Sequence, residues 1–293
     1  MVKIVTNIMI NELRNARSIP EDTKESVEKS IQELLRYFRA EGRALFVEMY
    51  DERDGADRAA RNSDTFRAME ALTGREPRII EYSRLDKIKP SEYALITFSG
   101  KTTKFVAYRD FGDRFGPLME MIRETRVPVL AQSAGHPLSG AAYDGQIKRL
   151  DCREPWELDD HDMGVYGWRN LKSNSSAIIT PNHPLFAEYL KTDGRVWHSQ
   201  AESVRGLNDD DIAILVDSTA KNGERMSHTF ELKNPSKHFI ALQPDLGINP
   251  SRGMRSREQP HYSGIVLLVS ALELLTTHSA QYTQTKEQLY APK

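Results

Sequence analysis

Apolar residues recur at helical spacing through Val27, Ile31, Leu34, Leu35 and Phe38, while Lys24, Glu28, Lys29, Glu33 and Arg36 fill the opposite face. That pattern predicts an amphipathic helix. Pro20 suits its first turn, Glu21, Asp22 and Glu25 favour its positive end, and Gly42 is a natural stop. Residues 1–42 therefore read as an N-terminal helical extension. Its apolar face either packs on the body of the protein or meets a partner or a second copy, as in a homodimer.

Beyond Gly42 the apolar runs shorten. Ala44–Tyr50, Arg78–Tyr82, Tyr93–Phe98 and Val127–Ala131 read as strands, with Thr65–Leu72 and Phe115–Thr125 at helical spacing between them. Short apolar strands alternating with helices predict an α/β fold, a mostly parallel central sheet flanked by helices in flavodoxin-like layering. The second half is richer in strand signals: Ala177–Thr180, Arg195–His198, Ile212–Val216 and His238–Leu242. Gly264–Leu275 reads as a buried helix. The expected organisation is one α/β domain over residues 43–280, preceded by the extension and followed by a polar tail, residues 281–293.

Composition narrows the classes. Of 293 residues, 40 are Lys or Arg and 42 Asp or Glu, a net charge of −2, so nucleic acid is not an expected partner. No apolar run approaches the roughly 18 residues of a bilayer span, and no membrane association is expected. The first residues show no signal-peptide pattern. The single cysteine, Cys152, excludes a disulfide framework and a Cys-based zinc cluster and fits a reducing cytoplasm. Neither a cofactor nor a metal is expected, since the Asp159–Asp162 cluster with His161 reads as a charged surface loop.

The chemistry concentrates in Pro128–Leu138, where an apolar strand runs into Gln132-Ser133-Ala134-Gly135-His136 and then a predicted helix, Pro137–Ala142. A residue at such a junction sits at the carboxyl end of a strand, beside helix N–H groups that stabilise an oxyanion. Ser133 occupies the nucleophile position, and Ala134 and Gly135 permit the sharp turn.

That stretch resembles the nucleophile elbow of class I glutamine amidotransferases, Gly-x-Cys-x-Gly-His-Gln, with Gly135 and His136 matching and Ser133 at the cysteine's place. Further segments follow in the family's order. Tyr93–Gly100 is similar to the strand and glycine loop of the oxyanion hole. Gly164–Trp168 with Asn182–Phe186, Val196–Val204 with Ala213–Ser218, and Phe239–Asp245 match later landmarks. The resemblance covers residues 44–276. It implies ammonia release from glutamine, or another small amide-like ligand, for a partner synthetase or acceptor enzyme. It also implies oxyanion or substrate binding by Gly100, Ala134, Gly135 and His136.

The departures fall on the catalytic positions. Aligned on the proline, Ser133, Gln243 and Asp245 stand where the family has its cysteine, histidine and glutamate. A serine hydroxyl needs a strong neighbouring base, and a carboxamide accepts no proton at physiological pH. Three readings follow: a pseudoenzyme with impaired or lost glutaminase activity; a divergent amide or ester hydrolase or transferase using Ser133, with His198 as the candidate base; or an engineered Cys-to-Ser form of an active amidotransferase. Arg252, Arg255 and Arg257 form a loop that suits a carboxylate or phosphate, and Cys152 reads as incidental.

Overall fold

The computed structural model describes residues 2–50, 64–101, 103–149, 164–167, 177–198, 202–219, 223–244, 246 and 262–291. Four short parallel strands form the core of the first half: β1 (Ala44–Glu48), β2 (Arg78–Glu81), β3 (Leu95–Phe98) and β4 (Val129–Gln132). β1, β3 and β4 are nearly continuous apolar runs because both faces of the sheet are covered there, whereas β2 at the edge keeps Arg78 and Glu81 exposed. Side chains alternate across it. Leu45, Val47, Ile96, Phe98, Val129 and Ala131 pack on one face with Phe115, Leu118 and Leu138, from α4 (Phe111–Glu124) and α5 (Gly135–Ala142). Ala44, Leu95 and Leu130 point to the other, which packs against α6 (Ser263–Leu275).

Helix α2 (Glu21–Glu41) joins that second face through Val27, Ile31, Leu34 and Phe38. The segment before it, not read as regular structure from the sequence, forms α1 (Val2–Asn15), whose Met9 and Leu13 share the same core with Met69 and Leu72 of α3 (Asp64–Thr73).

Five further strands complete a ten-stranded sheet: β5 (Gln146–Arg149), β7 (Ala177–Ile178), β9 (Glu202–Arg205), β10 (Ile212–Thr219) and β11 (Arg225–Leu232), with β12 (Phe239–Leu242) at the junction. The order is β2-β1-β3-β4-β12-β11-β10-β7, with β9 pairing β11 and β5 pairing β9. The run from β2 to β12 is parallel, and the strands beyond β12 pair antiparallel. This is the α/β sheet flanked by helices that the sequence predicts, with antiparallel strands added along one side. A separate antiparallel pair joins β6 (Gly164–Gly167) to β8 (Arg195–His198).

Residues 281–293, expected as a polar tail, lie largely in α7 (Ser279–Leu289), which turns 91° from α6. Tyr282 and Lys286, one helical turn apart, are both buried. The lysine stem is accommodated because its ammonium donates to the carbonyls of Asn234 (3.1 Å) and Lys237 (2.9 Å). No single described helix is long and apolar enough to cross a membrane.

Candidate functional site

β4 ends at Gln132, and the chain turns into α5 through Ser133 and Ala134. Ser133 takes φ +53°, a left-handed conformation that costs a residue with a Cβ about 1–2 kcal/mol. Two bonds hold it there: its N–H donates to Leu242 O (3.0 Å), and its carbonyl accepts from His136 N (3.1 Å). Gly135 is required by close packing, since a Cβ there would lie 2.9 Å from Phe98 Cδ2. The strand-to-helix turn is therefore strained at Ser133, as the sequence leads one to expect of an elbow.

The loop after β3 closes over the serine. A Cβ built on Gly100 would sit 4.0 Å from Ser133 Oγ and 3.4 Å from Tyr50 Oη, so this glycine lies at contact range of both. Ser99 Oγ accepts from Met49 N (2.7 Å) and donates to Gly100 O (2.9 Å), fixing the loop against the end of β1. Lys101 is buried, with Nζ donating to Met49 O (3.0 Å) and lying 4.8 Å from the Tyr108 ring centre. These groups meet where β1 and β3 end and the chain direction across the sheet reverses, the place where open α/β sheets hold ligands.

Gln243 follows β12 directly, beside Ser133, and is wholly buried. Its Nε2 donates to Glu202 O (2.7 Å), and its Oε1 accepts from His228 Nδ1. The Glu202 carboxylate accepts from the N–H groups of Phe105 (3.0 Å) and Val106 (2.9 Å). His228 Nε2 lies 2.6 Å from Ser218 Oγ. Burial lowers the His228 pKa to about 4, opposed by the Gln243 bond and by Asp217.

His136 is fully buried in α5 with its ring against Phe230, centroids 5.2 Å apart, and neither ring nitrogen has a partner among the described residues. Burial holds it well below its usual pKa, and His228 lowers it further. It therefore lies in the protein interior as a neutral ring. Among the described residues Ser133 Oγ has no hydrogen-bond partner, histidine included. The structure thus brings Ser133, Ala134, Gly135 and Gly100 together, with Gln243 alongside. The His198 backbone lies in β8 of the separate two-stranded sheet. Asp245, Cys152, the Asp159–Asp162 cluster with His161, and Arg252, Arg255 and Arg257 lie outside the described residues.

Sequence reasoning missed Tyr50, Lys101, Glu202, His228 and Ser218 as site-forming residues. Lys101 adjoins Ser99-Gly100 and was within reach of the motif. His228 gave no signal, because its strand was not recognised.

Fold and site together define an α/β protein with a serine in the strained turn between β4 and α5 and a buried carboxamide beside it. No protein-family model matches the chain, and no curated protein matches it in sequence. Among solved structures the chain is similar to a glutamine amidotransferase from Thermotoga maritima, at 13% identity and a TM-score of 0.49, covering 80% of this chain and 97% of that one. It is also similar to the CTPS glutaminase domain of Trypanosoma brucei, solved with bound acivicin, at 13% identity and a TM-score of 0.47, covering 79% and 94%.

Proposed function

We propose that this chain is a glutamine amidotransferase-like protein without ordinary glutaminase activity, whose elbow pocket holds a small amide or amino-acid-like ligand or serves a biosynthetic partner. The observation that carries the reading is the state of Gln243. Both ends of its carboxamide are bonded, to His228 and to the Glu202 backbone, and neither end accepts a proton at neutral pH. Ser133 keeps the strained elbow geometry, and among the described residues its hydroxyl has no partner of the kind a serine nucleophile requires. The approach of Gly100 to Ser133, within contact range at the ends of β3 and β4, supports the reading of a retained site.

Glutamine hydrolysis by this chain, Ser133→Ala and Ser133→Cys tests it. Turnover is expected from none of the three, because a carboxamide at position 243 serves neither nucleophile as a base. Turnover by the unmodified chain that disappears in Ser133→Ala would establish Ser133 as a working nucleophile and overturn the reading. Turnover appearing in Ser133→Cys would instead mark a thiol enzyme with its nucleophile replaced. Calorimetric titration with L-glutamine addresses the pocket: binding is expected, and Gly100→Val is expected to abolish it by filling the space beside Ser133.

A further inference from the structure

A second serine in this sheet has a histidine partner, which Ser133 does not have among the described residues. Gln243, His228 and Ser218 lie on three successive antiparallel-paired segments: the end of β12, β11 and β10. His228 sits directly across from Gln243, whose N–H donates to His228 O (2.8 Å). It is diagonal to Ser218, which pairs with Met226 two residues away on the same face of β11.

The direction of each hydrogen bond in this row can be worked out. Glu202 O is a carbonyl and accepts only, so the Gln243 atom 2.7 Å from it is the NH2 group. The other end of the carboxamide is then Oε1, which must receive a proton from His228 Nδ1. A neutral imidazole protonated at Nδ1 carries its lone pair on Nε2, and that nitrogen faces Ser218 Oγ at 2.6 Å. The serine hydroxyl donates to it. Burial favours the neutral ring at physiological pH. Ser218 is half-buried, on the stretch of β10 past the bulge at Ile214–Val216.

We propose that Ser218 is a nucleophile activated by His228 and oriented through Gln243, acting on small carboxylic esters with good leaving groups. Its Oγ bonds to the acyl carbon while the hydroxyl proton passes to His228 Nε2. The bond to the leaving oxygen then breaks, and the imidazolium returns that proton to the departing alkoxide. Water, deprotonated by the same nitrogen, hydrolyses the acyl-serine and restores the hydroxyl. The preference for activated esters follows from Gln243. A carboxamide fixes the tautomer but brings no negative charge to stabilise the imidazolium, so leaving groups that need little protonation are favoured.

The test uses the full chain with a fluorophosphonate probe, which reacts as Ser218 Oγ bonds to phosphorus, fluoride departs and the proton goes to His228. Intact mass and peptide mapping should show one adduct per chain, on the peptide containing Ser218. Ser218→Ala should abolish it, and His228→Gln should slow it at least about 100-fold. The labelling rate should be flat from pH 6 to 8. No adduct at millimolar probe, an adduct elsewhere, or an unchanged rate in His228→Gln would overturn the proposal. An adduct on Ser133 would count against both this proposal and the inactive elbow, whereas failure to label Ser218 leaves the elbow reading standing. Should His228→Gln not fold, Ser218→Cys in a Cys152→Ser background gives an independent reading. Its thiol should alkylate with iodoacetamide at pH 6.5 at least tenfold faster than free cysteine, and an ordinary rate would equally overturn the pairing.

Discussion

His228 should make the protein acid-labile above the range in which carboxylates titrate. Its side chain is buried, and its pKa falls from 6.5 to about 4, chiefly through burial. As pH drops through 6.5 the unfolded chain binds a proton on this imidazole, while the native ring stays neutral until about pH 4. Stability is therefore complete above pH 7 and declines across the interval between those values. Linkage gives a loss of about 2 kcal/mol on going from pH 7 to pH 5, out of about 3 kcal/mol for the whole interval. Gln243 and Ser218 face the ring directly, and Asp217 acts on it through space. His136, also buried and neutral, adds a loss of the same sign, so the comparison must be made between variants. Urea unfolding at pH 7 and pH 5 should show His228→Gln losing about 2 kcal/mol less than the unmodified chain. Equal losses in the two proteins would refute a neutral, buried His228.

Other positions give further predictions. Gly135→Ala should cost about 1–3 kcal/mol by driving a methyl into Phe98, read from the urea midpoint. Glu202→Gln should destabilise by about 1–3 kcal/mol, because its NH2 group would face one of the two backbone N–H donors that the carboxylate now satisfies. Burial lowers the Lys286 pKa from 10.5 to about 8, against the pull of Glu231. The unfolded lysine holds its proton between those values and the native one does not, so stability should rise by about 1.5 kcal/mol from pH 8 to 9.5. Lys286→Met should remove that rise. Tyr290, whose pKa is raised by burial and by Glu231, keeps its proton throughout that range.

The parallel half of the sheet was legible because each strand is a short apolar run bounded by polar turns, as in Val129–Gln132 and Leu95–Phe98. The turn was legible for a related reason: small residues between an apolar strand and a helix permit a sharp change of direction, and Ser133 takes the left-handed conformation there. Strand β11 was not. Ser227, His228, Thr229 and Glu231 are all buried, so half of a central strand is polar and its sequence looks like a surface loop. Two of them meet partners from distant segments, Gln243 at His228 and His183 at Glu231 (3.1 Å), while Thr229 Oγ1 donates to the neighbouring His228 carbonyl. Single-sequence periodicity contains nothing of such pairings. The same blindness hid the Ser218–His228 contact, which joins two strands across ten residues. It also left α1 unread, since its packing partners lie more than fifty residues away in α3.

Helix α7 has a consequence for how the chain is made. Glu231 is completely buried in β11, and its Oε1 receives the Tyr290 hydroxyl at 2.5 Å, while Lys286 caps the turn leading from β11 into β12. During synthesis, β11 and β12 leave the ribosome some fifty residues before the groups that neutralise this carboxylate. Until residue 290 is free, the centre of the sheet carries an acidic group with part of its shell missing, and docking α7 is the step that closes it. The antiparallel half should therefore gain its protease resistance late, after the parallel half has already formed.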